Sequence, residues 1–253
     1  MPEYDYIYLG DSARCPYGPR SFEVVYEFTL QAVSKLFELG CPLVILACNT
    51  ASAKALRTIQ QINLPVIDAT RRVLGVIRPT AECIGEITRS RHVGILATAG
   101  TIKSESYLLE IHKLSPDIVV TGEACPMWVS LVENNEYQSE GADYFVKQHI
   151  NRLLDKDPMI DTIILGCTHY PLLLDKIRQF TPGHIRIIAQ GEYVARSLQD
   201  YLNRHPEMDA RCEKGGKCRF LTTESENKFE ESASIFLGRQ DIKAVSYTHL
   251  RAH

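Results

Sequence analysis

Long apolar runs are missing from this sequence, and their absence excludes a helical membrane span. Runs such as LVILA (43–47) and TIILG (162–166) fall far short of the roughly 20 residues a bilayer requires. A basic excess is missing too. With 28 Lys and Arg against 31 Asp and Glu, the net charge is −3, so no positive field invites nucleic acid. The opening MPEYDYIYLG lacks the basic, apolar and small-residue regions of an export signal, and the expectation is a cytoplasmic protein. No stretch rich in Gly, Ser or Pro marks a linker.

What is present is ordinary globular usage, 45% hydrophobic and 23% charged residues over 253 positions, enough for one large core or two small ones. Eight cysteines need a reason. Without an export signal, disulfides are not expected, and most of these thiols read as small core hydrophobes. Cys212 and Cys218 in RCEKGGKCRF (211–220) have no second pair to complete a metal site. That segment reads as a surface hairpin turning at Gly215 and Gly216.

Short apolar runs alternate with helical patterns, which predicts parallel α/β architecture. YIYLG (6–10) is a strand. Ser21 caps a helix over 22–39, with Phe22, Val25, Phe28, Ala32, Leu36 and Leu39 at helical spacing and Gly40 ending it. Strand LVILA, a helix over about 51–62 and a strand VIDA (66–69) follow. In the second half HVGILAT (92–98), DIVVTGEAC (117–125), TIILGC (162–167) and IRIIA (185–189) read as strands with helices between. The tail VSYTHLRAH (245–253) continues no apolar pattern.

An internal echo is more informative. LVILACNTASAKALRTIQQINLPVIDA (43–69) resembles TIILGCTHYPLLLDKIRQFTPGHIRIIA (162–189). Each has an apolar strand, a small residue, Cys, then a helix and another strand. Two copies imply pseudo-symmetric, doubly wound parallel-sheet domains facing across a cleft. The division expected is 1–90 with 190–253 as the first domain and 91–189 as the second. The second half has four strands and the first only three, so a strand ahead of residue 1 is expected but missing.

The echo places Cys48 and Cys167 at carboxyl ends of parallel strands, where open sheets bind ligands. Each is expected to start a helix, whose amides would lower the thiol pKa; Pro171 suits the first turn of the second. One cysteine at a strand end is usually inert packing. Two at matched places can flank a small ligand, one removing an α-proton while the other delivers a proton from the opposite face. Asn49, Thr50, Thr168 and His169 stand beside them to stabilise a carbanion, and His169 can tune Cys167. Asp11 and Asp68 read as loop caps.

LACNTAS (46–52) and LGCTHYPLL (165–173) resemble the paired active-site motifs of bacterial glutamate racemases. GDSARCPYGPR (10–20), VGILATAGTIKS (93–104) and ACPMWVSLVE (124–133) match in order and context. The resemblance implies two α/β domains enclosing glutamate, without pyridoxal phosphate, other cofactor or metal, and interconversion of its enantiomers to supply D-glutamate for peptidoglycan. It implies that Cys48 takes the proton from D-glutamate and Cys167 from L-glutamate. Tyr17, Gly18, Asn49, Thr50, Thr168 and His169 would bind substrate, with Thr98 and Thr101 adding contacts. It also implies an opening strand with an Asp-Ser-Gly motif. None is found here, since Asp11 and Ser12 belong to a later loop, so low activity is expected of this chain. The alternatives are a related aspartate-type racemase, a glutamate-binding protein without activity, and a thiol redox protein. Nucleic-acid and membrane partners are not expected, and a homodimer is left open.

Overall fold

The computed structural model describes residues 1–238 and 241–247. The fold is α/β, and every strand pairing in it is parallel. The second half builds a four-stranded sheet from β4 (His92–Ala97), β5 (Val119–Ala124), β6 (Thr162–Gly166) and β7 (Arg186–Ala189), in the order β5-β4-β6-β7. Strands β4 and β6 are buried on both faces, which is why their sequences are continuous apolar runs.

Alternate residues serve opposite layers, as the two-residue repeat of a strand demands. Leu96, Ile163 and Leu165 pack with Trp128, Val146, Ile150 and Leu153 on one face. Val93, Ile95, Ala97 and Ile164 pack on the other with Tyr107 and Ile111, and with Ile77, Ala81 and Ile84 from the helix Ile77–Ile87. Helices thus cover both faces. Gly94 lets Leu153 approach β4, since a Cβ there would lie 2.7 Å from Leu153 Cδ2.

The first half is divided. Strands β2 (Leu43–Leu46) and β3 (Arg72–Gly75) form a two-stranded sheet. Its buried Val44, Leu46 and Val73 pack against Val33 and Phe37 of the helix Phe22–Glu38. Ser21 caps that helix by accepting from the Val24 amide, and Gly40 leaves it with φ +92°. Strands β1 (Tyr6–Gly10), β8 (Cys218–Thr222) and β9 (Ala244–Ser246) form a separate three-stranded sheet. Among the described residues no hydrogen-bonded pairing joins the two sheets.

Two expectations fail here. VIDA is not a strand: helical turns continue from Asn49, broken at Ala55, to the helix Leu64–Asp68, and Pro65 sits in the first turn of that last piece. Val66 is 86% exposed, whereas Val73 is buried, so β3 forms where the apolar side chain meets the core. Residues 211–220 are not a hairpin. The Asp5 carboxylate accepts from the amides of Gly215 and Lys217, and β8 then runs parallel to β1. The tail is also partly structured, since β9 pairs with β8 and the Tyr247 amide donates to Thr222 O. Residues 248–253 of that tail lie outside the described residues.

No helix among the described residues is long and apolar enough to cross a membrane.

Candidate active site

The carboxyl ends of β2, β4 and β6 place Cys48, Thr98 and Cys167. Cys48 is the residue just before the helix Asn49–Lys54. The amides of Ala51 and Thr50 and the Thr50 hydroxyl favour its thiolate, against the larger effect of burial. Cys167 differs from the expected helix start. It lies in a turn ahead of the 3₁₀ segment Tyr170–Leu173, and the amide of Tyr170 donates to its carbonyl. Pro171 does fall in the first turn of that segment.

The expected lowering of both thiol pKa values does not appear. Burial pushes Cys48 up, with the amides opposing it. It pushes Cys167 up to about 12, the His169 amide opposing while charge on Cys48, Cys15 and Glu133 raises it further. Removing the thiolate from water outweighs the local N–H donors.

His169 stands with its Nδ1 3.7 Å from Cys167 Sγ and its Nε2 2.5 Å from Glu133 Oε1. Glu133 ends the helix Trp128–Glu133. Its hydrogen bond with His169 holds the carboxyl below the usual range. Cys15 Sγ lies 4.0 Å from Glu133 Oε1. Thr168 is exposed.

Thr50, Thr98 and Thr101 form a buried hydroxyl cluster, with oxygens 3.0–3.3 Å apart. Thr98 also caps the short helix Ala99–Lys103 by accepting from the Thr101 amide. Gly18 presses the Pro-Tyr-Gly loop against this cluster, since a Cβ there would meet Thr98 Cβ at 2.9 Å. The Tyr17 hydroxyl donates to Asp11. Asp11 also accepts from Arg14 Nε at 2.8 Å and from the Thr223 hydroxyl at 2.9 Å, so it organises the loop. Asp68 caps a turn through the Thr70 amide.

Asn49 points elsewhere. Its amide donates to Gln190 Oε1 at 2.7 Å and its oxygen accepts from Tyr107 at 2.6 Å. Gln190 Nε2 lies within hydrogen-bond reach of Tyr107 Oη, Thr80 Oγ1 and the Val76 carbonyl. This buried network ties the segments after β2 and β3 to those after β4 and β7.

Glu133, Tyr107 and Gln190 escaped the sequence reading. Gln190 follows β7 as Val76 follows β3, so the strand-end rule could have flagged it. Glu133 is the last residue of the ACPMWVSLVE motif. Tyr107 carried no sequence signal beyond a core position.

With this geometry in place, comparison with known proteins is specific. A family profile described as Asp/Glu/Hydantoin racemase matches residues 1–198. A glutamate racemase of Bacillus cereus is 38% identical over 251 residues, covering 99% of this chain and 89% of the relative. Among solved structures, a glutamate racemase isoform from Bacillus anthracis superposes with a TM-score of 0.87 at 34% identity, covering 97% of this chain and 88% of that one. The glutamate racemase of Francisella tularensis, solved in complex with D-glutamate, gives 0.83 at 28% identity, with 97% and 88% covered.

Proposed function

The chain belongs to the Asp/Glu/Hydantoin racemase family, and from that premise we propose that it interconverts L- and D-glutamate with Cys48 and Cys167 as its two proton-transferring groups. The substrate follows the relatives, which are glutamate racemases at 34–38% identity over nearly the whole chain. The observation that carries the mechanism is the pair of thiols at the carboxyl ends of β2 and β6, Cys48 preceding the helix Asn49–Lys54 and Cys167 facing His169.

A thiolate takes the α-proton from one face of glutamate and the thiol delivers its own proton to the other. The carbanion between these steps is stabilised by polar donors held ready for it. Amides of Thr50 and Ala51 surround Cys48, and His169, oriented by Glu133, faces Cys167. Following the family motifs, Cys48 serves D-glutamate and Cys167 serves L-glutamate. The D-glutamate formed would enter peptidoglycan synthesis.

Incubation with L-glutamate in deuterated water tests this. The product D-glutamate should carry deuterium at Cα, and D-aspartate should form far more slowly from L-aspartate. Thermal stabilisation by glutamate without exchange would instead mark a binding protein. Faster turnover of aspartate would reassign the substrate.

A further inference from the structure

Beside the thiol pair, the described residues contain a group with metal-ligand chemistry, one member of which, Cys15, has no part in the proposed proton transfer. Cys15, Glu133 and His169 offer one sulfur, one oxygen and one nitrogen, all within 4.8 Å of one another. Cys15 comes from the loop after β1, in the first half. Glu133 ends the helix Trp128–Glu133 and His169 follows β6, both in the second half. The three donors therefore meet between the halves.

We propose that Cys15, Glu133 and His169 form an inhibitory site for a soft divalent cation of the zinc class, which bridges the two halves beside the reacting thiols. The donor set selects the ion. Thiolate and imidazole favour zinc, whereas magnesium and calcium favour oxygen donors alone. Tetrahedral zinc, with bonds of about 2.0–2.3 Å, sets its donors roughly 3.3–3.6 Å apart. Cys15 Sγ and Glu133 Oε1, at 4.0 Å, need close by only a few tenths of an ångström. The 2.5 Å contact between Glu133 and His169 must open by about as much as zinc bonding requires. The Glu133 side chain is 41% exposed, so packing does not enclose it on every side.

Binding replaces the thiol proton of Cys15, released to solvent, with a zinc–sulfur bond and changes no oxidation state. It also removes Glu133 from His169 Nε2 and leaves the ring proton on Nδ1. His169 could then only donate toward Cys167, 3.7 Å away. The ion would tie the Cys15 loop to the second half at the same time. Both effects oppose turnover.

The test is equilibrium competition for Zn²⁺ between the full chain and a chromophoric chelator, without glutamate. It reads binding whether or not glutamate is the substrate. The wild-type chain should show a tight site that Cys15→Ser and Glu133→Gln each weaken by at least about tenfold, as loss of a ligand demands. Cys212→Ser should leave it unchanged. Melting curves in metal-free buffer establish that each variant folds, and Glu133→Gln at a partly exposed position carries the test if Cys15→Ser does not. Wild-type affinity in the folded variants overturns the site. So does loss of binding in Cys48→Ser with retention in Cys15→Ser, which assigns the ion to the reacting thiols. In assays of the active chain, chelator-reversible inhibition by Zn²⁺ should weaken in the same variants.

Discussion

At the scale of single residues, burial governs the thiols more than neighbouring N–H groups do. Cys15 and Cys167 are each pushed up to about 12 from an ordinary 9.0, desolvation being the first cause in both. A folded-state pKa above the unfolded one means that the fold holds the neutral thiol. That contribution is complete below about pH 9 and is lost as pH climbs toward 12. Melting temperature should therefore fall across this alkaline window. The fall should be shallower in Cys15→Ser, whose hydroxyl does not titrate there; parallel pH curves for the two chains would contradict it. On the proposed mechanism, Cys48 and Cys167 also carry the proton transfer. Cys48→Ser and Cys167→Ser should each lower racemisation by at least about a hundredfold, the scale of a positioned acid or base. Each single variant should still exchange Cα hydrogen in one enantiomer faster than in the other. Equal residual exchange in both would separate the thiols from the proton transfer.

Between elements, Gln190 is the joint. Its side chain links Asn49, Val76, Thr80 and Tyr107, so Gln190→Leu strands several buried polar groups at once. Each unsatisfied group costs about 1–3 kcal/mol. Urea denaturation should show a loss of at least about 2 kcal/mol, since Asn49 and Tyr107 retain only each other. A midpoint within error of wild type would mean that the network relaxes freely. This joint also marks where the sequence stopped being legible. Strands β4 and β6 were readable because both faces are buried and their apolar runs are unbroken. Ser21 and Gly40 announced the helix between them through local chemistry. The run at 66–69 misled because an apolar, β-branched stretch reads alike in a strand and on an exposed helical turn. Only tertiary contact favours Val73 over Val66. The cysteines were legible because they repeat, and Thr50 and His169 because they adjoin them. Glu133 reaches His169 from 36 positions away, and Cys15 reaches Glu133 from 118 away. No local pattern encodes those meetings.

Taken as a whole, the molecule has halves of unequal support. The second is one four-stranded sheet covered on both faces, with Trp128, Tyr170, Leu153 and Ile163 fully buried. The first is a two-stranded and a three-stranded sheet without a pairing between them among the described residues, and Tyr6 and Tyr8 of β1 are 40% and 48% exposed. Two-stranded sheets are marginal alone and depend on the helices they pack against. Regions with little buried apolar contact open at lower free energy than the global transition. Cys48 lies in the weaker half and Cys167 in the stronger, so denaturation should separate them. The only tryptophan, Trp128, packs against Tyr170 with ring centroids 4.8 Å apart and reports the second half alone. In a urea series with pulsed thiol labelling read by mass spectrometry, Cys41 and Cys48 should become reactive at lower urea than Cys125 and Cys167. Trp128 fluorescence should change together with the later pair. One shared midpoint for all four thiols and the tryptophan would show instead that the contacts through Gln190 couple the halves into a single cooperative unit. The site would then be no weaker than the core behind it.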